Sequence, residues 1–81
     1  VAFVLKITNP EGGTHTWDEN GLTLFTAKQQ AALAVFRALA EIHPSMSASQ
    51  DVRPIARDLE TEPPGTEVAI TSGYRFKIEE A

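Results

Sequence analysis

Eighty-one residues leave room for one domain with one core, and the absence of cysteine excludes disulfides, thiolate metal sites and Cys nucleophiles. Eleven acidic against seven basic residues give a formal net charge of −4, which argues against direct nucleic-acid binding, because phosphate neutralisation supplies much of that affinity. Hydrophobic residues make up 42% of the chain and are spread along it, so it carries enough apolar material to fold.

The chain starts at Val1 rather than Met, consistent with a processed or cloned start and a segment removed upstream. Its first seven residues are mostly apolar but too few for a signal-peptide core or a membrane span. From Val1 to Thr8 the sequence alternates, with Val1, Phe3, Leu5 and Ile7 on one face, which predicts a strand. Ala2 and Val4 make its second face partly apolar, as suits a central strand. Asn9-Pro10-Glu11-Gly12-Gly13 is a turn cluster, and a short second strand is expected over Thr14–Asp18. Asn20-Gly21 then predicts a two-residue turn. With that loop Trp17 lies opposite Leu24, and Leu22–Phe25 becomes the third strand of a meander.

Thr26–His43 reads as a long helix: Ala, Leu, Gln, Lys and Arg dominate, and neither Gly nor Pro interrupts it. Thr26 and Gln29 have the spacing of a capping box, and Pro44 stops the run. At about 100° per residue, Ala32, Val35, Phe36, Leu39 and Ile42 share an arc, with Gln30, Arg37 and Glu41 opposite. Ser47-Ala48-Ser49-Gln50 repeats the cap spacing ahead of Val52, Ile55, Ala56 and Leu59 at helical intervals. Pro54 conflicts with a helix begun at Ser47 but suits the first turn of one capped by Asp51. A strand over Val52–Leu59 would put Arg53 and Arg57 on the face of Ile55 and Leu59, so a short second helix is the better reading.

Thr61-Glu62-Pro63-Pro64-Gly65 is a loop, and a hairpin follows. A two-residue loop at Ser72-Gly73 would set Val68 and Ile70 on the face of Arg75 and Lys77. A three-residue loop over Thr71-Ser72-Gly73 instead pairs Ile70 with Tyr74, Val68 with Phe76 and Glu67 with Lys77, and needs Gly73 in the left-handed region. The second register keeps the apolar set together.

The expected fold is therefore a two-layer α+β domain spanning residues 1–81. An antiparallel sheet, made of a three-stranded N-terminal meander and a C-terminal hairpin, carries one long and one short helix on one face. Its core is expected to comprise Phe3, Leu5, Ile7, Trp17 and Leu24; Ala32, Val35, Phe36, Leu39 and Ile42; and Val68, Ile70 and Phe76.

No catalytic constellation emerges. His15 and His43 with a carboxylate would make a zinc ligand set, but no recognised spacing links them, and a strand histidine and a helix-end histidine explain them as well. The serines at 45, 47, 49 and 72 sit in loop or cap contexts, without a GxSxG elbow. Gly12-Gly13 precedes a strand and lacks the Lys-Ser/Thr of a phosphate loop. The run Gly73-Tyr74-Arg75-Phe76-Lys77-Ile78 resembles the signature strand of the RNA-recognition motif only at Gly73, Tyr74 and Phe76, and lacks the leading Lys or Arg. It reads instead as the buried face of a hairpin, and no family resemblance follows.

The expectation is a small, acidic, non-enzymatic protein-interaction module in the cytoplasm, an accessory subunit or regulator with no cofactor and no membrane association. Its partner is another protein, with a basic surface if carboxylates do the docking; Asp58, Glu60, Glu62 and Glu67, around the Pro-rich loop, are the candidate contacts. The more specific alternative is an inhibitor of the phage anti-defence kind that occupies a basic groove on a nucleic-acid-handling target. A second alternative is weak single-stranded nucleic-acid binding through Tyr74, Arg75, Phe76 and Lys77 of the hairpin. Ala2, Val4 and Ala69 mark a sheet face available for homo-oligomerisation.

Overall fold

A computed structural model describes residues 2–42, 52–70 and 72–81. Val1, His43, the helix stop at Pro44, the Ser45–Gln50 stretch, the Asp51 cap and Thr71 lie outside the described residues. The alternating segment forms β1 (Phe3–Thr8), and the turn at Asn9 reverses it into β2 (Thr14–Thr16). The side chain of Asn9 builds this turn, its Oδ1 accepting the N–H groups of Glu11 and Gly13 at 3.0 and 2.8 Å. Two helices follow, α1 (Lys28–Ile42) and α2 (Val52–Thr61), and then the hairpin of β3 (Glu67–Ala69) and β4 (Arg75–Glu80).

The four strands form one antiparallel sheet in the order β2-β1-β4-β3, so β1 is central and pairs with the last strand of the chain. Leu5 faces Ile78 and Ile7 faces Phe76 across this central pair, and all four are buried. Val35 and Leu39 of α1 and Val52, Ile55 and Leu59 of α2 cover the same face. The protein is a two-layer α+β domain, as expected from the sequence.

The C-terminal hairpin has the predicted three-residue register: Val68 pairs with Phe76 and Glu67 with Lys77, and Ile70 N–H donates to Tyr74 O at 3.0 Å. Glu67 nevertheless forms its ion pair diagonally, with Arg75 at 3.3 Å, because Lys77 turns to Glu79 at 3.4 Å on the same face. The loop ahead of β3 is a turn in which Thr66 N–H donates to Pro63 O, with Pro64 and left-handed Gly65 at its centre. Helix α2 settles the Pro54 question: the proline is its third residue, where no ladder donor is lost, and Val52, Ile55, Ala56 and Leu59 are buried as their spacing predicted.

Three expectations are corrected. Leu22–Phe25 is not a strand outside β2; it contributes only isolated bridges, Glu19 with Leu22 and Phe25 with Phe3. Hydrogen-bond parity explains this. In an antiparallel strand the N–H and C=O of one residue point the same way, and those of the next residue point oppositely. Trp17 N–H donates to Leu5 O, so the odd-numbered residues of this stretch face β1. A turn closed by Glu19, two residues on, must therefore fold back toward β1, not away from it. The returning chain takes the last place on that edge: Phe3 and Phe25 exchange both backbone bonds at 2.8 Å.

Second, Phe25 rather than Leu24 enters the core, at 5% against 49% exposure, because the parity of the return decides which neighbour points inward. Third, α1 starts at Lys28, and the Thr26 hydroxyl donates to Gln30 Oε1 at 3.0 Å rather than closing a capping box with Gln29. Ala27 O accepts the first helical bonds, from Gln30 and Ala31. The buried arc of α1 is also shifted toward Ala31, Ala34 and Ala38, leaving Phe36 and Ile42 only partly buried. Small side chains on that flank let a helix pressed between a sheet and a second helix approach closely.

The two hairpin tips on one end of the sheet meet. Gly73 has φ of +99°, and a Cβ built there would stand 3.1 Å from Pro10 Cβ. Gly73→Ala should therefore lower the unfolding free energy by about 1–2 kcal/mol, the cost of holding an L-residue left-handed, before any clash is added. Urea denaturation measures it, and an unchanged midpoint would refute this packing of the tips.

Candidate partner-binding groove

The excursion from Trp17 to Phe25 leaves a groove of about 340 Å³ between its hairpin and the outer side of α1. Phe25, Leu22, Leu33 and Ala34 supply apolar walls, with Glu19 and Gln30 at the margins. Asn20 and Gly21 both have positive φ, 53° and 87°, the geometry of a tight hairpin whose twist matches its flanks. Glu19 and Leu22 exchange backbone bonds at 2.9 Å across that turn, and Asp18 Oδ1 accepts the Gly21 N–H. The wall carrying Leu22 is thus held by its own turn chemistry.

One carboxylate ties this wall to the rest of the molecule. Glu19 Oε1 accepts the Trp17 indole N–H at 3.0 Å, and its Oε2 stands 3.7 Å from Arg37 Nε on α1. The Trp17 ring is buried against the core while its polar edge reaches the groove margin. The result is an apolar floor beside a fixed, internally compensated charge pair.

Leu22, Leu24 and Leu33 are the large hydrophobic residues left exposed among the described residues, at 51%, 49% and 56%. Leu22 and Leu33 both line the groove. A single exposed leucine is ordinary, but apolar side chains gathered beside a concave apolar floor make this groove the candidate site of the described residues. Sequence reasoning passed over this site although one signal was present: Leu33 falls on the arc of Gln30 and Arg37, where an amphipathic helix should be polar.

The structure distributes the sequence-predicted contacts over different surfaces. Asp58 and Glu60 are both exposed on α2, but two residues apart on a helix puts them roughly 160° from each other. Glu62 follows Asp58 by one turn, its N–H donating to Asp58 O at 2.9 Å, so these two share a flank. Glu60 lies on the side of Arg53 and Arg57. Lys28 of α1 donates to the backbone oxygen of Glu62, which fastens this end of α2. Glu67 is on the open face of the sheet, paired with Arg75.

That open face is a polar grid. Lys6 and Lys77 are directly opposed across β1 and β4, an arrangement unfavourable by itself. Glu79 lies between them, 3.4 Å from each ammonium. Loss of hydration pushes its carboxyl up, but Lys77 and Lys6 outweigh this and hold it below the usual carboxylate range. Thr8 is buried on the same face, its Oγ1 bonded to Thr14 Oγ1 at 2.8 Å. Ala2 and Val4, singled out for oligomerisation, are half-buried, and Ala69 is exposed at the edge.

The hairpin route to nucleic acid loses its stacking platform. Phe76 is fully buried and Tyr74 is partly buried against the core, so only Arg75 and Lys77 of that quartet project from the open face. His15 is exposed on β2, and among the described residues no three His, Asp or Glu side chains converge as a metal site. No described helix is long and apolar enough to cross a membrane. No protein-family model, curated protein or solved structure matches this chain.

The Glu79 cluster carries a pH signature. A carboxyl whose folded pKa is depressed adds stability above its unfolded value, near ~4.3, and loses it as pH falls through the lower folded value. Glu79→Gln should therefore be less stable than wild type at neutral pH, with the difference shrinking as pH is lowered through and below the ordinary carboxylate range. Urea midpoints measured across this range check it, and a pH-independent gap would show that the two lysines do not act through the charge of Glu79.

Proposed function

We propose that the protein is a small, non-enzymatic protein-interaction module that docks another protein at the groove between the Asp18–Leu24 hairpin and α1. The observation that carries this is the pairing of exposed Leu22 and Leu33 over the apolar floor of Phe25 and Ala34. The groove is open to solvent, whereas small-molecule sites bury most of the ligand surface. It suits the apolar centre of a protein interface, where a few buried anchors supply most of the binding energy. The acidic flank of Asp58 and Glu62, and the net charge of −4, favour a partner with basic character and speed its approach.

The test compares two variants that separate groove from acidic flank. Leu33→Glu alters a side chain that is mostly in solvent already, so the fold should keep its stability to within about ±0.5 kcal/mol. The triple amide Asp58→Asn, Glu60→Gln, Glu62→Gln should be equally benign. After cross-linking in cells of the source organism, wild type and the triple amide should recover the same protein in stoichiometric amount, and Leu33→Glu should lose it. Retention by Leu33→Glu with loss by the triple amide would move docking to the acidic flank.

A further inference from the structure

We infer that the occupant of the groove is an amphipathic helix with an apolar stripe bordered by lysine or arginine. The inference rests on the protein-interaction reading and adds the chemistry of the partner segment.

Backbone chemistry selects a helix over an extended strand. Every residue lining the groove already has its main-chain N–H committed. Glu19 and Leu22 bond to each other, Phe25 to Phe3, and Gln30 to Ala27, while Leu33 and Ala34 lie inside α1. A strand laid in this groove would bury N–H and C=O groups that find no partner there, each at a cost in affinity. A helix satisfies its own backbone and presents only side chains. The helix wall is also a packing surface: Gln30, Ala34 and Arg37, with Leu33 beside them, recur at the spacings that form ridges and grooves for another helix.

Charge selects the flanks. Glu19 and Arg37 compensate each other at the margin. Beyond the lining residues, Asp18 and Glu41 are both exposed, Asp18 next to Glu19 in the hairpin and Glu41 one turn past Arg37 on the same stripe of α1. The chain carries a net charge of −4, so the surroundings of the groove favour a basic border. A lysine- or arginine-bordered stripe matches that rim, and an acidic border meets repulsion. The protein contains a single tryptophan, and Trp17 is bonded to Glu19 at this margin, so its emission reports occupancy directly.

Three synthetic peptides test the inference: a leucine–lysine sequence patterned as an amphipathic helix, the same pattern with glutamate for lysine, and the leucine–lysine peptide with a central proline. Each is titrated into the full chain while Trp17 emission and backbone amide shifts are followed. The expected result is saturable binding of the first peptide alone, with shifts at Leu22 and Leu33. Leu33→Glu should weaken it at least about tenfold, and the Asp58/Glu60/Glu62 triple amide should keep saturable binding with a much smaller loss, confined to slower association at low salt. Equal binding of the proline peptide would overturn the helical occupant, equal binding of the glutamate peptide the basic flank, and indifference to Leu33→Glu the groove itself. If the cross-linked partner depends on Leu33 while the leucine–lysine helix does not bind, the helical, basic occupant is wrong and the interaction module stands.

Discussion

The pairing of β1 with β4 is the contact on which everything else depends. It joins strands from opposite ends of the chain, from Phe3 with Glu80 to Thr8 with Arg75, and Ala81 N–H continues it to Ala2 O at 2.8 Å. Bringing such distant segments together carries the full loop-closure cost, and the return is the burial of Leu5, Ile7, Phe76 and Ile78 in one block. Neither helix has a surface to cover until that block exists, because α1 packs on β1 and β4, and α2 on β3 and β4. The outer strands β2 and β3 are three residues each and add little independent stability.

From this central pair follows the shape of the groove. The odd-numbered residues of β1 turn their backbone groups to the edge that β2 occupies, and those of the Trp17 stretch point back at it. The excursion after Trp17 thus returns to that edge, and Phe25 ends it at Phe3. The hairpin that carries Leu22 is therefore suspended beside α1 and does not extend the sheet. A regular third strand would have paired Leu24 with Trp17 and used up that apolar surface. The apolar groove is what remains when a hairpin is denied its place in a ladder.

The open face of the sheet shows the opposite economy. Lys6, Lys77 and Glu79 form a compact cluster, and Arg75 with Glu67 a second pair, so the face that no helix covers is polar. Edge and open-face charges of this kind discourage sheet-to-sheet association. Of the three large hydrophobic side chains exposed among the described residues, Leu22 and Leu33 line the groove where the hairpin meets α1.

Local chemistry was legible in the sequence wherever a residue type restricts its own backbone. Asn20-Gly21 specified its turn, Gly73 with the Val68 and Phe76 alternation specified the last hairpin to the residue, and the spacing of Val52, Ile55, Ala56 and Leu59 specified α2 in spite of Pro54. The class of fold followed from these pieces. What only the tertiary structure decided was which edge each segment would use. Side-chain alternation tells which residues share a face, but it says nothing of which neighbour receives their backbone bonds. Thus β1 took β4 as its second partner, Leu22–Phe25 fell back onto β1, and burial passed from Leu24 to Phe25. The groove belongs to the same category, because Leu22 and Leu33 become neighbours only through that return, and the scatter of Asp58, Glu60 and Glu67 over separate surfaces is likewise a fact of three dimensions.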